Sequence, residues 1–514
     1  MPARATRTED SGVAFESGAG RWLLAVAVAG SGMAFLDGTV VNVALPNIGE
    51  DLGAGTNSLQ WILNGYLLTL ASLILLGGSL GDRYGRRRVF VLGVGLFTAA
   101  SLLCAVAPSA GFLIAARLLQ GIGGALLTPG SLAIIEASFR PVDRARAIGA
   151  WSGLGGVATA LGPLVGGYLI GAISWRAIFL INLPIGIFVA WAATKHVPET
   201  SDPLASGRVD LLGATLAALG LAGSTYALIE APGQGASAAV LVTAVGGLAG
   251  LAAFLAHERR AANPMLPLEI FRSRQFSAAN AVTFVVYAAL SGFFFLLVVS
   301  LQISMGYTPI EAGAASLPVT LLMLLFSARS GALAQRIGAR IPLTVGPLII
   351  AAGLLLLTGI EPGDDYVTAV LPGILVFGVG LTLVVAPVTA TVLAAADTRH
   401  SGIASGVNNA VARVAGLLAV AVLPVAVGLT GEDFYDPAKM TDGFHMAMVI
   451  CAALAALGGA LAWLTIAAGV LHPEPEPGGD TPERLAEDLT CGFDAPPLRP
   501  GREAACSETA RARG

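Results

Sequence analysis

Fourteen separate stretches of mostly apolar residues run along this chain, each of the length, about 20 residues, that a helix needs to cross a bilayer. They cover residues 22–46, 59–81, 89–107, 111–136, 145–170, 175–194, 209–230, 236–257, 276–302, 310–328, 341–360, 366–392, 402–429 and 442–470. Few charges are left over for a water-facing surface. Only 12% of the 514 residues are charged and 55% are hydrophobic, whereas a soluble domain carries about 25% charged residues. Lipid is therefore the expected solvent, and the fold class is an all-α integral membrane protein. The first apolar run, from Arg21 to Pro46, is too long for a signal-peptide core and reads as a retained span.

An even number of spans puts both termini on one side of the membrane, and the basic residues choose the side. Alternate loops hold Arg83, Arg86, Arg87 and Arg88, then Arg140, Arg144 and Arg146, then Lys195 and Arg208. Further along, Arg259, Arg260, Arg272, Arg274, Arg336, Arg340 and Arg399 fall on the same side, as do Arg4, Arg7 and Arg484 in the tails. The opposite loops are acidic, with Glu50, Asp51, Glu230, Glu361, Asp364, Asp365, Glu432, Asp433 and Asp436 against Arg176 and Lys439. Both termini are expected in the cytoplasm.

The spans group as six, two and six. This gives a cytoplasmic N-terminal tail (1–21), a six-helix bundle (22–194), a linker with two added transmembrane helices (195–275), a second six-helix bundle (276–470) and a disordered, proline-rich cytoplasmic tail (471–514). The net charge of −4 includes no basic arm or face, so nucleic acid is not an expected partner. The four cysteines and five histidines are scattered without metal-ligand spacing, and no metal, disulfide framework or cofactor is expected. An integral-membrane enzyme would need clustered His, Cys or carboxylates at one face, and none is present in the sequence.

Charges inside the spans carry the functional information, since each costs at least about 2.5 kcal/mol to place at the bilayer centre. Asp37 lies about fifteen residues into the first span with no basic residue within a turn. A lone carboxylate in hydrocarbon is favoured in its protonated form, which makes it a candidate proton carrier; a structural acid held by neighbouring backbone is the alternative. Arg117 lies in the fourth span, with Gln120, Gly121, Gly124 and Thr128 along one helical stripe. It reads either as a modulator of a proton site or as an arginine satisfying helix-end carbonyls.

In the fifth span, Gly155, Thr159, Gly162 and Gly166 share a face beside Pro163 and Gly167. Small residues at this spacing let helices touch backbone to backbone, so tight packing alone accounts for them equally well. Asn409 and Arg413 sit one turn apart in the thirteenth span, with Gly406 and Gly416 on the same stripe. They read as a polar cavity wall or as a snorkelling arginine. The loop Gly78-Ser-Leu-Gly-Asp82-Arg83-Tyr-Gly85-Arg86-Arg87-Arg88 embeds an acid among topology-setting arginines, which suggests a breakable charge lock.

Together these residues resemble the major facilitator superfamily, and specifically its fourteen-helix drug:proton antiporter branch. The Gly78–Arg88 loop is similar to the superfamily's cytoplasmic signature, and Leu36-Asp37-Gly38-Thr39-Val40-Val41-Asn42 through Pro46 to the branch's first-helix motif. Arg117, Gln120, Gly121, Gly123 and Gly124 resemble the fourth-helix motif associated with proton coupling, and Gly149, Gly162, Pro163, Gly166 and Gly167 the fifth-helix antiporter motif. Trp175-Arg176 through Asn182-Leu-Pro184 also resembles this branch. Two positions depart from the pattern: Ala158 replaces a glycine of the fifth-helix motif, and Gln335 replaces the acid in the second-half copy of the loop, Gly331–Gly338.

The resemblance covers roughly residues 20–470. It implies a monomer in the cytoplasmic membrane that exports small organic compounds, drugs or antibiotics, in exchange for protons, by alternating access. Asp37 and Arg117 would couple protons, Thr39, Asn42, Gln120, Asn409 and Arg413 would line the substrate cavity, and Gly78, Asp82, Arg83, Gly85, Arg86 and Arg87 would latch the cytoplasmic side. A single deep acid favours cationic or amphiphilic compounds, with neutral and anionic ones left open. The competing readings are a nutrient importer on the same fold and a non-transporting membrane sensor.

Overall fold

The computed structural model describes residues 12–201, 209–396 and 401–471. The tail after Leu471, most of the 1–21 segment and the basic residues Arg4, Arg7, Arg208, Arg399 and Arg484 lie outside them. Among the described residues, fourteen helices are long and apolar enough to cross a membrane. They are α1 (Gly18–Leu52), α2 (Thr56–Tyr84), α3 (Arg86–Ala105), α4 (Ala110–Ser138), α5 (Pro141–Ala172), α6 (Ala177–His196) and α7 (Leu211–Gln234). The series continues with α8 (Ala238–Glu258), α9 (Arg274–Ile303), α10 (Pro309–Ile337), α11 (Arg340–Gly359), α12 (Tyr366–Ala394), α13 (Ser401–Ala426) and α14 (Pro437–Thr465).

Helix is the form such segments must take, because lipid offers backbone groups no partner outside their own segment. Several helices run past the apolar stretch that defines them. α1 continues through Pro46 to a left-handed Gly53 cap, and α10 continues to Ile337 with Gly338 beyond it. Starts are set by short polar caps: Ser109 Oγ accepts from the Phe112 amide, and Ser273 Oγ from the Phe276 amide. Two sharp turns, α2–α3 and α10–α11, place Gly85 at φ 108° and Gly338 at φ 86°, a region that favours glycine.

The packing repeats. Among the first six helices α1 packs on α5 and α6, and α4 packs on α2 and α3, while α3 also meets α6. Among the last six, α9 packs on α13 and α14, and α12 on α10 and α11, while α11 also meets α14. The α7–α8 pair is glued along glycines: Gly220 lies against Leu251 and Gly250, and Gly223 against Gly247. It packs beside α2 and α13. There Glu230 accepts hydrogen bonds from Asn57 and from the Trp61 indole, both at 3.1 Å. This arrangement fits two six-helix halves with an added pair.

The halves meet chiefly through α2 with α13 and α5 with α10. Among the described residues, the hydrogen bonds joining them all lie at the face where α1 ends, here the acidic face. Tyr435 donates to the Ala54 carbonyl at 2.7 Å, and Thr56 to the Gly431 carbonyl at 2.7 Å. Gln60 donates to the Val420 carbonyl at 2.9 Å, and Gln302 to the Val43 carbonyl at 3.0 Å. The opposite face, carrying Asp82–Arg88, has no such bond between halves among the described residues.

Candidate functional site

A fully buried ion pair sits inside the first six helices. The Asp37 carboxylate of α1 meets the Arg117 guanidinium of α4, with 0% and 1% of the side chains exposed. Each partner is held further. Arg117 Nε donates to the Ile62 carbonyl at 3.0 Å and Nη1 to Gln120 Oε1 at 2.5 Å. Its guanidinium lies over the Tyr66 ring at 4.4 Å. Asp37 Oδ1 accepts from Gln120 Nε2 at 2.8 Å and from Asn182 Nδ2 at 3.4 Å. Ser101 of α3 closes the network by accepting from both Gln120 and Asn182, at 2.9 and 3.3 Å.

This geometry corrects one expectation. Asp37 is not a lone carboxylate: α4 brings in a cation from 80 positions along the chain. A pair so enclosed is costly to break one-sidedly, because the remaining charge is then buried without compensation, typically at about 3–5 kcal/mol.

Sequence reasoning placed Asn182 only within a motif and missed Ser101 and Tyr66. Asn182 arrives through a break in α6, whose helix is interrupted at Ile181, so that Asn182 begins the longer segment. The Asn182 Oδ1 is buried without a hydrogen-bond partner.

The small-residue face of α5 has two neighbours. Gly155 lies against Phe35, Gly162 against Leu36 and Thr39, and Gly166 against Val40, so this stripe seats α1. Thr39 is engaged in the same seam, donating to the Thr159 carbonyl at 3.1 Å. Gly167 and Pro163 turn the other way. A Cβ on Gly167 would lie 2.4 Å from the Pro309 carbonyl oxygen, and one on Gly313 would lie 2.1 Å from the Pro163 carbonyl oxygen. α5 therefore carries a backbone-to-backbone contact between the halves near the acidic face. Gly149 stands apart, with open space where its Cβ would project.

Along the Arg117 stripe, Gly121 and Gly124 face Tyr66 of α2 rather than Asp37, and Thr128 Oγ1 is buried without a partner. Asn42, Asn409 and Arg413 are partly exposed and make no hydrogen bond or ion pair among the described residues. Arg413 lies near the middle of α13, twelve residues past Ser401 and thirteen before Ala426. It is within electrostatic reach of the hydroxyls of Tyr66 in α2 and Tyr287 in α9. Gly406 meets Leu75 of α2 in the other half, whereas Gly416 meets Ser291 of α9 in its own half, so only the start of this stripe touches the first six helices through its glycines.

The basic loop is tied within its own half. Asp82 Oδ1 accepts from Arg86 Nη2 at 2.7 Å and Nε at 2.9 Å. Glu199, just after α6, draws Arg87 and Arg88 to 3.4 and 3.6 Å, and the Arg86 amide donates to the Thr200 carbonyl. Gly78 packs on Pro129, and Arg83 lies over the Tyr84 ring. Asp82 is 42% exposed on its side chain and makes no hydrogen bond or ion pair with the last six helices among the described residues.

The sequence profile of the Major Facilitator Superfamily matches residues 27–420. The chain belongs to the major facilitator superfamily. Membership makes it a transporter by family, and relatives within the superfamily narrow the comparison. It is 37% identical over 393 residues to the multidrug resistance protein Stp of Mycobacterium tuberculosis, covering 76% of this chain and 73% of that one. It is 35% identical over 456 residues to the methylenomycin A resistance protein of Bacillus subtilis, covering 88% and 96%. Among solved structures, a bacterial homologue of the human lysosomal transporter Spinster superposes with a TM-score of 0.61. That likeness spans 88% of this chain and 97% of the other at 18% identity, and it concerns the fold.

Proposed function

We propose that this major facilitator exports small organic compounds, such as drugs or antibiotics, across the cytoplasmic membrane in exchange for protons. The buried Asp37–Arg117 pair carries the proposal. Protonating Asp37 removes its charge and frees Arg117, which keeps Gln120 Oε1 as an acceptor. A flip of the Asn182 amide, whose Nδ2 donates to Asp37 and whose Oδ1 is unpaired, would turn an acceptor toward the new O–H. A single proton can thus switch the packing between α1 and α4. The names of the relatives, which are resistance and export proteins, support the outward direction.

The positive-inside rule puts the Asp82–Arg88 face and both termini in the cytoplasm. On that assignment, the halves 22–194 and 276–470 are closed at the outside and ready to part at the inside. Return to the outward-open state needs the α5–α10 contact to separate and the Asp82 loop to latch across the halves. One proton crossing about 100 mV supplies about 2.3 kcal/mol, and one pH unit adds about 1.4. Together these sustain a substrate gradient of several hundredfold.

The test uses everted vesicles from cells expressing the full chain, with a compound found by a toxicity screen. Adding the compound to vesicles holding an acid-inside gradient should release protons, and Asp37→Asn should abolish that release at equal protein levels. Compound uptake without proton release would refute the coupling.

A further inference from the structure

The charge that faces the contact between the halves is positive. The deep acid of the first half, Asp37, is sealed by Arg117, Gln120 and Asn182. The deep base of the second half, Arg413, is open: partly exposed, with no hydrogen bond or ion pair among the described residues. Nothing in the sequence of the last six helices offsets it, since their only acids, Glu311 and Asp442, lie near the acidic ends of α10 and α14. A guanidinium left without an anion at this depth is expensive and marks a ligand or ion pathway.

Its surroundings are those of a recognition site. One turn before it on the same face, the Asn409 side chain has no hydrogen-bond partner, and the Tyr287 hydroxyl has none either among the described residues. Tyr287 of α9, itself partly exposed, lies within electrostatic reach of Arg413. A snorkelling arginine would instead sit near a helix end and reach for the interface, whereas Arg413 is at the centre of α13.

We propose that Arg413, with the Tyr287 hydroxyl and the Asn409 amide, binds the anionic group of the exported compound, so that the substrates of this transporter are aromatic or amphiphilic organic acids. The guanidinium supplies the paired donors that suit a carboxylate or an ionised phenol, and the partly exposed Tyr287 ring offers a face for the organic body. This rests on the export reading above and replaces the cationic preference that a lone Asp37 suggested.

The test separates the two. Purified full-length protein in lipid nanodiscs is titrated with 9-anthracenecarboxylate, neutral 9-anthracenemethanol and cationic 9-(aminomethyl)anthracene, following anthracene fluorescence. The carboxylate should bind at least tenfold more tightly than the other two. Arg413→Gln should erase that preference while leaving the alcohol's affinity unchanged, and Arg413→Lys should restore part of it. Asp37→Asn should keep the preference though it stops proton-driven export. Equal affinities for the three probes, tighter binding of the amine, or unchanged carboxylate affinity in Arg413→Gln would overturn the proposal without touching the coupling mechanism.

Discussion

Gly167 of α5 and Pro309 of α10 approach so closely that a single added Cβ would stand 2.4 Å from the Pro309 carbonyl oxygen. The obstacle is backbone, which cannot swing aside as a side chain can. The contact joins the two halves at the acidic face, so under the orientation proposed above Gly167 is where the outer gate would shut.

Gly167→Ala should therefore hinder closure of that gate. Efflux should fall at least tenfold with the protein still inserted, and a cysteine placed at Thr56 should react faster with an impermeant maleimide. Gly171→Ala, one turn on, meets nothing within 4 Å and serves as the matched control. Equal efflux in the two variants would remove Gly167 from the gate.

The Asp37–Arg117 pair predicts strong coupling in a double-mutant cycle. Arg117→Gln should destabilise the protein by about 3–5 kcal/mol, because Asp37 is left buried beside Gln120 and Asn182 without its cation. Asp37→Asn with Arg117→Gln together should cost less than the sum of the single changes. Additive losses, measured by chemical unfolding in detergent, would show that the two side chains do not act as one unit.

Asp82 and Arg86 form a partly exposed pair one turn apart, of a kind worth about 0.5 kcal/mol. If the acid latches the closed cytoplasmic face as proposed, Asp82→Asn should leave unfolding essentially unchanged and yet slow turnover severalfold, with KM little altered. An unchanged turnover number would dismiss the latch.

What the sequence made legible follows from what lipid demands. The fourteen helices could be counted because spanning length and apolarity are local properties. Asp37 and Arg117 stood out because deep charges are costly wherever they pack. Their pairing was not legible: Arg117 is 80 positions away, and no periodicity links two helices whose crossing is set by packing. Asn182 joins the network only through the interruption of α6 at Ile181. The α5 glycines announced a close contact, but only the fold divides them into a stripe for α1 and a pair, Pro163 and Gly167, for α10. Asp82 was legible as a paired acid, while its partner in this conformation is Arg86 of its own loop rather than the second half.

Under the proposed mechanism, Asp37 is the group that couples a proton to the switch. Substrate counterflow and proton-driven accumulation, measured side by side in the same Asp37→Asn vesicles, separate coupling from movement. Counterflow exchanges labelled for unlabelled compound without net proton transfer, and it should persist at near wild-type rate. Accumulation against a gradient should be lost. Accumulation at the wild-type level in Asp37→Asn would contradict the mechanism outright.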